Sequence, residues 1–351
     1  MHRDEFIPET VWVESDGAVL APLRRTQDPK RWLDLAYADD AVITQVDDGH
    51  PTPEGTGHRI SSSASMPTVV AQMLAPCAAQ PGQRVLEIGT GTGYNAALLA
   101  HRLGASNVVT IEIDSDLAQT ARCTLKAAGY DPVTVVTGDG AQGYPPAAPF
   151  DRVLSTAAIQ QVPYNWVKQT RPGGLVITPW GTDYYNGGLL VLTVTHEHTA
   201  VGSIVDKASF MALRQQRFTQ HGLTLTADDD AHAACSHTDI HPAEIANGRI
   251  AFDACIALAI RVPHCAMSYA PPRNSTPTAR ASCGSSTLPP DRGPGCTTTP
   301  TATGPTASCN PDPDAYGTKC TPTITGGSTL INPPRTAGAS PSPPTDNTLS
   351  S

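Results

Sequence analysis

The run Arg84-Val-Leu-Glu-Ile-Gly-Thr-Gly-Thr-Gly-Tyr94 constrains this chain more than any other stretch. Val85, Leu86 and Ile88 predict a short buried strand, and the residues from Asn95 to His101 predict a helix. Gly89, Gly91 and Gly93 fill the connection. Without a Cβ the turn can be tight and a ligand can lie against bare backbone. The helix that follows offers free N–H groups and a partial positive charge at its start. Many nucleotide-binding folds use one such loop, so a second feature has to narrow the reading. Val108–Ile113 predicts the next strand and carries Glu112 near its end. That is about 20 residues beyond the glycines, where a carboxylate accepts both hydroxyls of a ribose.

Strand and helix alternate from residue 83 to residue 195. Strands are predicted at 84–88, 108–113, 133–137, 150–155, 174–178 and 189–195, and helices at 95–103, 115–128 and 165–169. The last two strands form an antiparallel finish. This alternation predicts an α/β fold with a doubly wound, mostly parallel sheet of the Rossmann-like kind. The chain divides into a flanking segment (1–55), a core (56–198), an accessory segment (199–270) and a tail (271–351).

In the front segment, Phe6-Ile-Pro8, Val11-Trp-Val13 and Val42–Val46 read as short strands. Trp32–Tyr37 reads as a helix entered at Asp28-Pro29. Ser61–Ser65 reads as loop or helix cap, followed by a helix from Pro67 with Val69, Val70, Met73 and Leu74 on one face. Phe210–Arg217 is expected to be a helix or strand leading out of the core, and Ile250–Val262 an apolar strand or helix. About half of the 33 prolines lie beyond residue 270, amid Thr, Ser, Gly and Ala. Such a composition cannot offset its ordering entropy, so the tail is expected to be disordered. A change of reading frame near residue 270 is the alternative.

The charge of -9 and the pI of 5.6 argue against a nucleic-acid partner. No run of 18 apolar residues exists, and the opening residues lack the apolar core of a signal peptide. Nine cysteines include no Cys-x-x-Cys pair. Cys77 and Cys123 are expected to be buried core thiols. A cytoplasmic location is the expectation, with the oligomeric state open. His232, Cys235, His237 and His241 fit no standard metal cage, so no metal is expected.

Gly138-Asp139-Gly140 ends the third strand, where Asp139 either accepts from an adenine amino group or caps a turn. Ser155-Thr-Ala-Ala158 ends the fourth. In a doubly wound sheet these strand ends share one edge, where ligands bind. No Gly-Lys-Ser/Thr is present, which disfavours a nucleoside triphosphate. S-adenosyl-L-methionine fits better, with a ribose and an adenine but no phosphate. The candidate cofactor residues are Glu87, Gly89, Thr90, Gly91, Gly93, Glu112, Ile113, Asp139, Gly140 and Thr156. For Glu87 the alternative is a strand-end carboxylate satisfied within the protein, and Asp151 reads as a structural turn residue.

Val85–Tyr94, Gly138-Asp-Gly140, Ala148-Pro-Phe-Asp151, Thr156-Ala-Ala158, Pro163 and Pro172-Gly-Gly174 together resemble the protein-L-isoaspartate O-methyltransferases. The upstream Ser65-Met-Pro67 resembles that family's Ser-x-Pro element. The resemblance covers roughly residues 55–195, and the flanks look like a larger, actinobacterial-type relative. It implies an S-adenosylmethionine-dependent methyltransferase that esterifies a carboxylate of isoaspartyl residues in proteins or peptides, a repair reaction. The ester then closes spontaneously to a succinimide. It also implies Ser65 as the catalytic hydroxyl, although Ser61, Ser62 and Ser63 lie in the same run. Thr68 stands where many members carry an aromatic residue or histidine. Two alternatives remain: esterification of one aspartate in a ribosomally made precursor peptide, leading to an aspartimide, and an inactive cofactor-binding module.

Overall fold

The computed structural model describes residues 1–15, 19–217 and 252–261, and the backbone of four short strands beyond them. A front sheet comes first, built from β1 (Thr10–Glu14), β2 (Leu20–Arg24), β3 (Val42–Val46) and β4 (Ile60–Ala64). Its order is β2-β1-β3-β4, and all its pairs are antiparallel. Helix α1 (Pro29–Tyr37) lays Trp32 and Ala36 against Val11, Leu23, Val42 and Ala64. Asp28 caps it by accepting from the Arg31 N–H at 3.0 Å, and Pro29 opens it, as the Asp-Pro pair leads one to expect.

Three readings of the front segment change. Phe6 closes a 3-10 turn (Arg3–Phe6) instead of starting a strand. The serine run is mostly strand β4, because pairing with β3 supplies a ladder that serines do not advertise. Strand β2 was not expected at all. It contains Pro22, which an edge strand tolerates because one side of its ladder faces no partner.

Helix α2 (Pro67–Cys77) leads into the main sheet. Strands β5 (Val85–Ile88), β6 (Val108–Glu112), β7 (Thr134–Thr137), β8 (Phe150–Ser155) and β9 (Thr170–Gly181) pair in parallel, in the order β7-β6-β5-β8-β9. Helices α3 (Tyr94–Leu103), α4 (Ser115–Ala127) and α5 (Tyr164–Gln169) make connections among them. Strand β10 (Asn186–Val194) turns back antiparallel on β9, as expected. Strand β11 (Ala200–Lys207) follows by a second hairpin, so residue 198 lies in a turn within one sheet.

Alternation along each strand explains the two-sided burial. Val85, Leu154, Ile177 and Leu189 pack with Met73, Leu99 and Leu125 from α2, α3 and α4. Leu86, Val153, Val176 and Leu190 pack on the opposite face with Trp166 and Val167 of α5. Cys77 is buried, but Cys123 is exposed. Helix α4 buries Ala118, Ala121 and Leu125, and Cys123 falls on its solvent side.

The apolar stretch near residue 250 forms helix α6 (Phe252–Arg261), which buries Cys255, Ile256 and Ala259. Strands β12 (Cys265–Ala270), β13 (Arg280–Ser285) and β14 (Cys296–Thr298) pair with one another, and β15 (Thr329–Ile331) pairs with β11. Three of these strands fall within 271–351, the stretch expected to be disordered; its other residues lie outside the described ones. So do His232, Cys235, His237 and His241. Among the described residues no helix is long and apolar enough to cross a membrane, and no three metal-ligating side chains gather.

Candidate active site

The parallel strands end on one edge because Ile88 aligns with both Ile111 and Ser155, and Glu112 with Thr137. Chain order reverses between β5 and β8, and the glycine loop leaves β5 at that switch point. Gly89, Gly91 and Gly93 have φ of 92°, 52° and 84°, a region that other residues adopt only under strain. At Gly89 space is also short: a Cβ there would stand 2.6 Å from Thr156 Oγ1. Thr156 donates that hydroxyl to the Gly89 carbonyl at 2.6 Å, so the end of β8 braces the loop. Gly140 lies against β5, where a Cβ would meet Ile88 Cγ2 at 2.5 Å.

Glu112 is buried, and each of its oxygens accepts a backbone N–H. Oε2 takes that of Gly91 at 2.9 Å and Oε1 that of Asp114 at 3.2 Å. The carboxylate is thereby fixed against the loop, and each oxygen keeps acceptor capacity for one more donor. Asp139 caps the 3-10 turn that starts at Gly140, accepting from the Ala141 N–H at 2.9 Å. Ile113 follows Glu112 and is half-buried.

Glu87 and Thr90 turn their side chains away from the cleft. Glu87 is fully buried under the loop. Its Oε1 accepts from Asn95 Nδ2 and its Oε2 from Thr110 Oγ1, both at 2.6 Å, and Thr110 shares a 2.7 Å hydrogen bond with Thr90 Oγ1. Burial pushes the Glu87 carboxyl up to about 7, against the opposing pull of the Thr110 and Asn95 hydrogen bonds. These two candidates hold the loop's shape from below, since their polar atoms are spent on internal partners. Asn95 and Thr110 were not singled out from sequence. Thr110 is a strand residue in a β-branched run, and Asn95 reads as an ordinary helix residue.

Strand β4 lies over the glycine loop: a Cβ on Gly91 would stand 3.8 Å from both Ser62 Oγ and the Ser63 carbonyl. Ser61 donates its hydroxyl to Gln45 Oε1 and Ser62 accepts from the Thr44 hydroxyl, both within the front sheet, while the Ser63 hydroxyl makes no hydrogen bond among the described residues. Ser65 sits in the turn between β4 and α2, half-buried, and its hydroxyl makes no hydrogen bond among the described residues. Three residues on, the Thr68 N–H and hydroxyl both donate to Asp39, at 2.9 and 2.5 Å. Those hydrogen bonds hold the Asp39 carboxyl below the usual range.

Phe210–Arg217 is neither a long helix nor a strand. It runs as a strap across the carboxyl edge, with one 3-10 turn at Arg214–Gln216. The Ala158 N–H donates to the Met211 carbonyl at 2.8 Å, and the Leu213 N–H returns to the Ala158 carbonyl at 2.9 Å. Arg214 donates to Asp114 at 2.8 Å, and Arg217 pairs with Asp48 of the β3–β4 turn. Arg217, Arg214 and Arg59 hold the Asp48 carboxyl below its ordinary range. No sequence signal marks these partners, which lie 100 and 169 positions apart.

A parallel sheet with a glycine loop after its first strand and a carboxylate after its second, without a phosphate-binding lysine, is the arrangement of Rossmann-like nucleoside-cofactor folds, the S-adenosylmethionine-dependent methyltransferases among them. The sequence profile of one family, described as protein-L-isoaspartate(D-aspartate) O-methyltransferase, matches residues 25–217. The chain belongs to this family of enzymes. It is 46% identical over 152 residues to the protein-L-isoaspartate O-methyltransferase of Ignicoccus hospitalis, covering 43% of this chain and 65% of that one. It is 40% identical over 211 residues to that of Gloeobacter violaceus, covering 60% and 93%. Against the Hyperthermus butylicus protein of the same name it is 41% identical over 198 residues, covering 53% and 76%.

Proposed function

We propose that this chain methylates a carboxylate of isoaspartyl residues in proteins or peptides, with S-adenosyl-L-methionine as the methyl donor. The observation that carries the proposal is the position of Ser65. Among the described residues its hydroxyl is uncommitted, and it lies in a turn that continues the strand over the glycine loop. The residues present suit the donor. Bare backbone lines the loop, and the buried Glu112 carboxylate retains two acceptor directions that match a ribose diol. Gly89, Gly91, Gly93, Glu112, Ile113, Asp139, Gly140 and Thr156 form its cradle in this reading. Glu87 and Thr90 support it from beneath. When bound, S-adenosyl-L-methionine supplies an electrophilic methyl group on a sulfonium centre.

The chain's own residues then have little proton transfer to perform, because the acceptor carboxylate is already anionic at neutral pH. Their work is placement. The Ser65 hydroxyl donates to one carboxylate oxygen and leaves the other aimed at the methyl group, and effective concentration supplies the rate. The strap and the β3–β4 hairpin are joined beside this edge through Arg217 and Asp48. We place the reaction in the cytoplasm, with a protein or peptide partner and no nucleic acid.

An isoaspartyl peptide and its aspartyl twin, offered with labelled cofactor, test the proposal. Label on the isoaspartyl peptide alone is the expected outcome. Failure on both, with S-adenosylhomocysteine still bound in calorimetry, points instead to a dedicated precursor peptide. No binding heat from folded protein would sink both.

A further inference from the structure

Arg3 is the most unusual charged group outside the cofactor cradle. It is only 4% exposed, yet among the described residues no carboxylate pairs with it. Its guanidinium donates to five backbone carbonyls. Nη1 reaches Ala36 at 2.8 Å and Ala38 at 3.1 Å, and Nη2 reaches Asp40 at 3.0 Å, Ala64 at 3.2 Å and Ser65 at 2.9 Å. The first two carbonyls belong to the end of α1, where the helix leaves its last acceptors unpaired and partially negative. The last two belong to the turn that carries Ser65. Burying a cation is unfavourable unless its donors are used, and desolvation lowers the Arg3 pKa from its ordinary value. Arg3 Nε has no partner among the described residues. Apolar packing of similar volume would leave these carbonyls without their donors. A fork of fixed geometry does what apolar packing cannot: it holds several carbonyls at set angles.

The same turn reaches the donor side. Phe6 closes the 3-10 turn that starts at Arg3, and its ring meets that of Tyr94 with centroids 5.4 Å apart. Tyr94 is the first residue of α3, directly after Gly93. One short turn thus grips the acceptor serine through Arg3 and the start of the loop helix through Phe6. We propose that residues 3–6 are a brace that sets the Ser65 hydroxyl relative to the glycine loop, and that Arg3 is a positioning residue for methyl transfer. The proposal rests on the reading of Ser65 given above. A displacement of about 1 Å at a reacting group can cost on the order of 100-fold in rate, so a brace of this kind acts on turnover far more than on binding.

The test compares Arg3→Lys, Arg3→Met and Phe6→Leu with the wild type in kcat, KM for an isoaspartyl peptide, affinity for S-adenosylhomocysteine and thermal midpoint. Lysine keeps the charge with three donors on a single nitrogen, so Arg3→Lys is expected to fold and to bind S-adenosylhomocysteine as wild type does. Its kcat should fall at least tenfold with KM within about threefold. Wild-type kcat in a folded Arg3→Lys protein overturns the proposal. So does a loss of kcat that only tracks a loss of cofactor affinity across the three variants, since that describes a folding residue. The combination of Ser65→Ala with Arg3→Lys separates the two readings. If Arg3 acts through Ser65, the double variant is no slower than Ser65→Ala alone; multiplicative losses overturn the brace. Full activity of Ser65→Ala removes the serine reading itself.

Discussion

At the scale of single residues, the loop is specified by clashes and by one buried acid. Gly89 and Gly91 share positive φ, but a Cβ meets Thr156 at 2.6 Å in one case and nothing closer than 3.8 Å in the other. Gly89→Ala is therefore expected to lose more stability than Gly91→Ala. Backbone strain alone costs about 1–2 kcal/mol at either, and urea midpoints measure the difference. Equal losses would show that strain, not the Thr156 contact, decides. Glu87 carries a pH signature. Its folded carboxyl lies near 7, above the value of about 4.3 of an unfolded chain. Between those values the folded state keeps a proton that the unfolded state releases, so stability falls as pH rises through the window, by about 1.4 kcal/mol per unit of separation. Glu87→Gln can accept from Asn95 and donate to Thr110. It should flatten the urea midpoint between about pH 5 and about pH 7, and an unchanged slope would assign the dependence to another group. Glu87 itself stands out in the sequence. Its use beneath the loop does not, because that depends on Thr110 from the neighbouring strand.

At the scale of elements, the strap and the β3–β4 hairpin meet through charge. Asp48 sits at φ 56° in its turn and takes Arg59, Arg214 and Arg217, while Arg214 also holds Asp114 at the start of α4. A partly exposed ion pair contributes about 0.2–1 kcal/mol, so Asp48→Asn is expected to speed S-adenosylhomocysteine release about 1.4-fold to about 5-fold per pair lost, in stopped-flow fluorescence. High salt should narrow that difference by screening the wild-type latch. Identical release rates at low salt would show that the strap does not gate the site. The Asp48 carboxyl is held below its ordinary range, so this contribution is present at neutral pH and is lost only as pH falls through that lowered value. Helix α1 was legible from its cap, Asp28-Pro29. The strap was not, because a short stretch that pairs with loops has no period of its own.

At the scale of the whole molecule, the family match ends at residue 217, yet α6 still packs on the main sheet, with Ile256 Cδ1 3.2 Å from the Cβ position of Gly188. A chain ended at residue 271 keeps that helix and loses β15 from the sheet edge. It is expected to bind S-adenosylhomocysteine with unchanged affinity, because the loop, Glu112 and the strap all lie before the cut. A loss of affinity in calorimetry would give the tail a part in the site. The sequence by itself determined the alternating core, the class of cofactor and the family. These are written in local patterns: short apolar strand runs, glycines at a helix start and a carboxylate at a strand end. Only the tertiary structure decided that Ser61 and Ser62 pair within the front sheet, which of the loop's polar residues turn inward, and what holds the Ser65 turn in place. Those outcomes depend on pairs such as Arg3 with Ser65 and Asp48 with Arg217. Their separation along the chain leaves no local trace, and each exists only once the front sheet has folded over the glycine loop.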